Sequence, residues 1–235
     1  MRLDQAIPQR YPELSRRKAR ELISQKRVLV NERLVAVASR EVSESDRIAI
    51  VDSVDLNIIK ETTDWVAVDK PAGMPTQPAR DRKERSLEEL LRARFRTIYL
   101  VHRIDTGTSG VVVFARSREA AARLSELFAT RSVRKTYLAA IDGTIDGELR
   151  IETPIEGKDA VTIVRPRADG LVEAEILTGR THQIRIHLAS VGHAVRGDRR
   201  YGGSNAPRLM LHAWKLEHAE LGTLEATPDP SLRSR

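Results

Sequence analysis

The stretch that most constrains the fold is Val101 to Phe114, which reads VHRIDTGTSGVVVF. Its second half is an apolar run of β-branched and aromatic residues, a composition typical of a buried strand. Its first half is polar, holds Arg103 and Asp105, and is broken by glycine, so it is predicted to be a loop. An isolated Asp-x-Gly would indicate a tight turn. Because two opposite charges here lie beside a buried strand, we interpret the loop as a functional site.

Composition limits the classes of protein that this chain can belong to. A length of 235 residues suits one large domain, or a small domain followed by a larger one. The net charge of +7 favours a polyanionic partner, and the absence of cysteine excludes disulfides and thiolate metal sites. No apolar run has the length of a membrane span, and the first residues lack the apolar core of a signal peptide. The sequence therefore predicts a cytoplasmic protein with no membrane partner.

The first fifty residues are predicted to form a compact module. Ser15 can cap a helix in which Ala19, Leu22 and Ile23 recur at helical spacing, and short strands follow. The other faces of that helix carry a basic cluster of Arg16, Arg17, Lys18 and Arg20. A charge run on a helix is usually a solvated face, whereas a basic cluster at a helix amino terminus also favours phosphate. The residues alone leave both interpretations open.

The rest of the chain alternates short strands with two or three helices. We place a linker at residues 52–60, a capping box at Ser86 and Glu89 ahead of an amphipathic helix, and a disordered tail at residues 226–235. This order indicates a mixed α+β fold around a largely antiparallel sheet with flanking helices.

The segment GRTHQIRIHLASVG, residues 179–192, is predicted to be a strand that carries Gln183, Arg185 and His187 on its polar face. On a strand, two of the nearby histidines would point in opposite directions, and no His-x-x-x-His pair accompanies them. We therefore interpret His182, His187 and His193 as structural. The chain also lacks a phosphate-binding loop and a dinucleotide fingerprint, so no metal and no cofactor are predicted.

The remaining candidates for chemistry are Asp105, Tyr137 and Arg185. A single carboxylate argues against the paired acids of a glycosidase. Burial favours the neutral form of a carboxylate unless a cation lies beside it, and Arg185 can supply that cation in a bidentate pair. Asp105, kept ionised, could attack an electron-poor sugar carbon or abstract a proton. The alternative is an Arg–Asp pair with only a structural role.

Two sets of motifs resemble known families. VHRIDTGTSG resembles the signature of RluA-type RNA pseudouridine synthases, usually H-R-L-D-x-x-T-S-G. VDKPAG, RKTYLA, TGRTHQIRIH, GDRRYGG and RLMLHA follow that family's order across residues 58–220. SRRKARELISQKRVLVNERLV resembles the alpha-L RNA-binding domain of a ribosomal small-subunit protein. Ile104, Ala194 and the lack of His-Pro after Leu216 depart from the pattern and affect only the expected shape of local loops.

The resemblance implies an alpha-L domain at residues 1–51 and a catalytic domain at 58–225. It implies an isomerase that needs no cofactor or metal and converts uridine to pseudouridine in structured RNA, with ribosomal large-subunit RNA as the expected target. Transfer RNA as the target, or a non-catalytic RNA-binding or ribosome-assembly factor, are the alternatives. We expect the chain to act as a monomer.

The resemblance also implies a role for each candidate residue. Asp105 is expected to be the catalytic residue and Arg185 its partner. Tyr137 is expected to stack on the target base and to help remove the proton from carbon 5. Arg103 is expected to fill the gap left by the extracted nucleotide. The basic helix is expected to bind the RNA backbone through Arg16, Arg17, Lys18 and Arg20.

Overall fold

The computed structural model describes residues 1–24, 27–31, 33–50, 56–78 and 86–233. Its amino-terminal part contains two helices and a small antiparallel sheet of order β2-β1-β3. The elements are α1 (Leu3–Arg10), α2 (Arg16–Ser24), β1 (Val28–Val30), β2 (Arg33–Leu34) and β3 (Ile48–Ile50). Ser15 Oγ accepts a hydrogen bond from the Lys18 backbone N–H at 3.2 Å, which confirms the predicted cap of α2.

Helix α1 was not predicted from the sequence. Arg2 at its amino-terminal cap makes no side-chain capping bond, and Pro8 lies inside the helix, so both usual signals are missing. Packing stabilises it instead, since Leu3 and Ile7 are completely buried against Ile23 of α2 and Val28 of β1. The hydrophobic cluster to which they belong draws its members from residues 3–50.

The larger sheet has ten strands within the described ranges. Its main path runs β4-β5-β7-β12-β8-β11-β10-β9, with β13 paired to β12 and β6 paired to β7. The pair of β7 and β12 is parallel and the other pairs are antiparallel. The predicted mixed α+β fold with a largely antiparallel sheet is therefore confirmed. The strands are β4 (Asn57–Glu61), β5 (Trp65–Lys70), β6 (Tyr99–Leu100), β7 (Ser109–Ala115), β8 (Arg134–Ala139), β9 (Leu149–Ile151), β10 (Thr162–Pro166), β11 (Val172–Ile176), β12 (Leu211–His218) and β13 (Gly222–Glu225).

Three helices accompany this sheet: α3 (Leu87–Arg94), α4 (Arg118–Ala129) and α5 (Gln183–Ser190). The predicted capping box is present, since Ser86 Oγ accepts from the Glu89 N–H and the Glu89 carboxylate accepts from the Ser86 N–H. Every residue of β7 is buried, as its apolar run predicts. In the part of the chain that the structure describes, no helix has the length and apolarity needed to cross a bilayer.

The strand predicted within residues 179–192 is wrong, because this segment contains helix α5. The buried positions are Gln183, Ile184, His187 and Leu188, a spacing of one helical turn rather than the alternation of a strand. His182 precedes the helix with a left-handed φ of 57°, which ends any extended conformation there. The isoleucines of the segment are β-branched and favoured the strand interpretation.

Two predicted boundaries are also wrong. Residues 57–60 belong to β4 and pair with β5 rather than forming a linker, while residues 51–55 lie outside the described residues. Part of the predicted disordered tail is packed, while residues 234–235 lie outside the described residues. Leu232 is completely buried, and Pro230–Arg233 forms a short 3₁₀ turn. A single buried leucine is too little sequence signal to distinguish this tail from a disordered one.

Gly110 allows β7 and β12 to approach closely. Its φ is +113°, and a Cβ atom built there would lie 2.1 Å from the Ala213 carbonyl oxygen. We expect Gly110→Ala to lower the free energy of unfolding by about 3 kcal/mol or more, because a strained φ and a backbone clash add together. Urea unfolding followed by circular dichroism measures this loss.

Gly147→Ala is the matched control for Gly110→Ala. Gly147 also has a positive φ, of +80°, but a Cβ there meets nothing within 4 Å. Its loss should be about 1 kcal/mol, from the strained φ alone. Equal losses for the two variants would contradict the close approach of the strands.

Candidate active site

One loop holds the backbone on both sides of Asp105 in the sequence. Thr76 Oγ1 donates to the Ile104 carbonyl at 2.9 Å, and the Gly73 N–H donates to the Thr106 carbonyl at 2.7 Å. The Asp105 carbonyl accepts from the Thr108 N–H at 3.0 Å, which closes a turn directly before β7. The carboxylate therefore projects from a backbone that the 70–76 loop and a buried strand both fix.

Lys70 is a buried cation beneath this loop. Its Nζ donates to the carbonyls of Met74 at 2.7 Å, Pro71 at 3.0 Å and Thr106 at 3.3 Å. Burial lowers the pKa of Lys70 to about 7, against the opposing effect of the charges of Asp105 and Asp69. The ammonium thus joins the 70–76 loop to the residue that follows Asp105.

Arg185 bridges two aspartates. Its Nη1 lies 3.3 Å from Asp105 Oδ2, while its Nε and Nη2 donate to the two carboxylate oxygens of Asp198 at 2.6 and 2.8 Å. The sequence analysis predicted a bidentate pair between Arg185 and Asp105. That detail is wrong, because the two-pronged side of the guanidinium faces Asp198. Of the guanidinium atoms, only Nη1 contacts Asp105, and a quarter of the Asp105 side chain stays exposed.

Asp198 is the site residue that sequence reasoning missed. Its side chain is completely buried, and Oδ1 also accepts from the N–H groups of Arg200 and Tyr201. Burial raises the pKa of Asp198, but the bonds and charge of Arg185 outweigh it, so the pKa lies below its ordinary value. Its position as the one acidic residue of the GDRRYGG motif is the sequence signal that could have identified it.

His182 also faces Asp105. Its Nε2 lies 3.8 Å from Asp105 Oδ2, and its Nδ1 shares a hydrogen bond of 3.0 Å with the Tyr201 hydroxyl. His182 caps the amino terminus of α5 and Arg185 lies in the first turn of that helix, so the start of the helix brings both side chains to the same carboxylate. The pKa of His182 is lowered, mainly by burial. The neutral ring is therefore favoured at pH 7.

The other two histidines have structural surroundings. His187 shares hydrogen bonds with Thr162 Oγ1 at 2.8 Å and the Thr153 carbonyl at 2.9 Å, and His193 bonds to the Asp142 carbonyl at 3.0 Å. Among the described residues, no group of three or more His, Cys, Asp or Glu side chains is placed to hold a metal ion.

Tyr137 lies on β8 at the wall of the same cleft as Asp105 and Arg185. Burial raises the pKa of Tyr137, and the negative charge of Asp105 raises it further. The phenol therefore keeps its proton at neutral pH. Its ring lines the cleft and is available for stacking.

The cleft has a volume of about 290 Å³, near the lower end of small-molecule sites, which begin at roughly 300 Å³. Arg103 is exposed and lines this cleft. It also lines a second cleft formed with residues 75–78. Arg103 therefore stands between two depressions, one of which contains Asp105.

The basic residues predicted to bind RNA lie on α2 and divide into two sets. Arg16 and Arg20 contact the buried carboxylate of Asp4 through their Nε atoms, at 3.1 and 2.7 Å. Lys18 pairs with Glu21 at 3.1 Å, and Arg17 is exposed. Asp4, on the unpredicted helix α1, was not identified from the sequence.

Comparison with known proteins identifies the family of each part of the chain. The profile of the family described as RNA pseudouridylate synthase matches residues 64–190, which include Asp105, Tyr137 and Arg185. The profile of the S4 domain matches residues 1–48, the part for which the sequence predicts an alpha-L RNA-binding domain.

Individual relatives agree with this assignment. The chain is 33% identical to the ribosomal large subunit pseudouridine synthase D of Xylella fastidiosa, covering 94% of this chain and 80% of the relative. It is 31% identical to an uncharacterized RNA pseudouridine synthase of Aquifex aeolicus, covering 89% and 80%. The solved structure of human RNA pseudouridylate synthase domain containing 1 has a TM-score of 0.64 at 29% identity, covering 75% of this chain and 84% of that one. The chain therefore belongs to the RNA pseudouridine synthase family and carries an S4 domain at its amino-terminal end.

Proposed function

We propose that this chain isomerises uridine to pseudouridine in ribosomal large-subunit RNA, with Asp105 as its catalytic residue. The single contact of Asp105 with Arg185, in a cleft that Tyr137 also lines, is the observation that carries this proposal. The choice of RNA is supported by the names of the relatives from Xylella fastidiosa and Nitrosomonas europaea, both described as ribosomal large subunit pseudouridine synthase D.

The reaction exchanges one bond of the ribose for another. The bond from the sugar to the ring nitrogen breaks, the uracil turns, and ring carbon 5 joins the same sugar carbon. The hydrogen of carbon 5 then leaves, and a proton joins the freed nitrogen, so the composition is unchanged. The Asp105 carboxylate can begin this sequence in either of two ways. It can add to the sugar carbon as the bond to nitrogen breaks, and the ester bond so formed then breaks when carbon 5 attacks that carbon. Alternatively, it can remove a neighbouring sugar proton and return it to the sugar when carbon 5 joins.

The other residues prepare the substrate. A base within an RNA helix must be flipped out, at a cost of roughly a few kcal/mol. Arg103, exposed between the two clefts, can occupy the vacated position and stack on its neighbours. Tyr137, held as the neutral phenol, stacks on the extracted uracil. Arg185 holds the Asp105 carboxylate in place through its Nη1, at 3.3 Å.

Mapping pseudouridines in cells with and without the gene tests this function. We expect one or more pseudouridines to disappear from large-subunit ribosomal RNA and to return with the unaltered gene. Loss from transfer RNA alone would reassign the target. Unchanged pseudouridines in every RNA would favour a non-catalytic binding factor.

We also propose that the chain divides its work, with RNA affinity in residues 1–51 and chemistry in residues 58–225. Removing residues 1–51 should weaken binding to the target RNA by about tenfold to a hundredfold, because several phosphate contacts are lost. The remaining chain should stay folded, because the deletion removes the whole of the hydrophobic cluster formed by residues 3–50. Filter binding and circular dichroism measure the two outcomes. An unfolded remainder would contradict two independent domains.

A monomeric state and a cytoplasmic location stay predictions.

A further inference from the structure

Asp4 is a buried acid in a module expected to bind a polyanion. Its side chain is inaccessible to solvent. Burial raises the pKa of Asp4, but hydrogen bonds from Arg20 and Arg16 and the charges of Arg16 and Arg2 outweigh it, so the pKa is lowered. The carboxylate is therefore ionised at neutral pH. A buried carboxylate beneath arginines that are expected to bind phosphate offsets part of their charge, so its presence there requires an explanation.

Three arginines surround this carboxylate and meet it with the same atom. The Nε atoms of Arg2, Arg16 and Arg20 lie 3.3, 3.1 and 2.7 Å from its oxygens. The three arginine side chains are 46%, 47% and 53% exposed. Arg16 and Arg20 donate their Nε–H groups to Asp4 Oδ2, whereas Arg2 forms an ion pair with Oδ1 without a hydrogen bond. The terminal amino groups of all three guanidinium groups remain for another partner.

The arginines outnumber the acid, so the cluster keeps a positive charge. Within the described residues, Arg2, Arg16 and Arg20 have no side-chain hydrogen bond or ion pair with any acceptor other than Asp4. The terminal amino groups of a guanidinium match the geometry of phosphate oxygens. Long side chains lose conformational freedom when they bind, and Asp4 has already restricted these three.

We propose that Asp4 is a positioning residue that holds Arg2, Arg16 and Arg20 in place for phosphate groups of the RNA backbone. The nature of the ligand rests on the proposed function, whereas the ordering of the arginines rests on the contacts above. Arg17 and Lys18, which the sequence analysis placed with Arg16 and Arg20, are outside this cluster.

The direction in which RNA affinity changes when one negative charge is removed tests the proposal. Asp4→Asn in the full chain adds one positive charge, so a purely electrostatic role predicts tighter RNA binding. Positioning predicts weaker binding, by about tenfold, because the arginines must be ordered by the RNA itself. Glu13→Gln is the matched control, since Glu13 is an exposed acid of the same module and its loss adds the same charge. Its affinity should equal or exceed that of the unaltered chain.

Arginine-to-lysine variants keep the test valid if Asp4→Asn unfolds. Arg16→Lys and Arg20→Lys keep the charge but remove the guanidinium, and each should weaken binding several-fold. Arg17→Lys should bind like the unaltered chain, because Arg17 does not contact Asp4.

The probe is a transcript of ribosomal large-subunit RNA, titrated by fluorescence anisotropy at several salt concentrations. Binding by Asp4→Asn as tight as by Glu13→Gln would overturn the proposal, as would unchanged binding by both Arg16→Lys and Arg20→Lys. Failure of the unaltered chain to bind RNA would instead overturn the proposed function, and with it the assigned ligand.

Discussion

Asp105→Asn is expected to reduce pseudouridine formation by about ten-thousand-fold or more, because a neutral amide can neither attack the sugar carbon nor accept a proton. RNA binding should be retained or slightly tighter, since the change removes a negative charge from the cleft. The side chain is a quarter exposed and makes one 3.3 Å contact with Arg185, so the amide fits without repacking. Single-turnover kinetics on a large-subunit RNA transcript measure the loss.

Asp64→Asn is the matched control for this variant. Asp64 pairs with Arg123 at 2.8 Å, away from the cleft, and half of its side chain is exposed. The same substitution there should leave the rate within a few-fold of the unaltered chain. Near-normal activity of Asp105→Asn, or an equal loss in both variants, would contradict the role assigned to Asp105.

The second large effect is expected for Arg185→Lys. Lysine keeps the positive charge but cannot bond both oxygens of Asp198 and still reach Asp105. We expect kcat to fall about a hundredfold with little change in KM, because the proposed partner of the Asp105 carboxylate is misplaced.

Arg165→Lys is the matched control for Arg185→Lys, because Arg165 also lies between two acidic side chains. Arg165 contacts Glu148 at 2.8 Å and Glu175 at 3.2 Å, and it does not line the Asp105 cleft. Its substitution should leave kcat unchanged. A similar fall in kcat for both variants would mean that loss of an ion pair, rather than the placement of Arg185, explains the effect.

Asp198→Asn distinguishes positioning from charge. Asp198 does not line the cleft that contains Asp105, so a loss of kcat in this variant must act through Arg185 or through folding. Removing one partner of a buried ion pair destabilises a protein by about 3–5 kcal/mol when the other charge stays buried. Measuring the unfolding midpoint beside kcat separates these two causes.

Local sequence signals predicted much of the scaffold correctly. The apolar run before Phe114 specified β7, and the Ser86–Glu89 capping box specified the start of α3, because each signal is complete within a few residues. Asp105, Tyr137 and Arg185 were selected from motifs, and the structure places all three around one cleft. Their chemical roles stay predictions.

Features that depend on distant parts of the chain were not predicted. Helix α5 contains β-branched residues in alternation, and its helical form depends on packing of Ile184 and Leu188 against the sheet core. Helix α1 lacks capping signals, and contacts with α2 and β1 stabilise it. Asp198 is paired with Arg185 by the fold, so the sequence did not show which carboxylate would receive the bidentate contact.

The most direct test uses large-subunit RNA with tritium at carbon 5 of uracil, because that hydrogen must leave when carbon 5 joins the sugar. The unaltered chain should release tritium into water in proportion to the pseudouridine formed, and Asp105→Asn should release none above background. Equal release by Asp105→Asn, or no release by the unaltered chain, would contradict an Asp105-dependent isomerisation of this RNA.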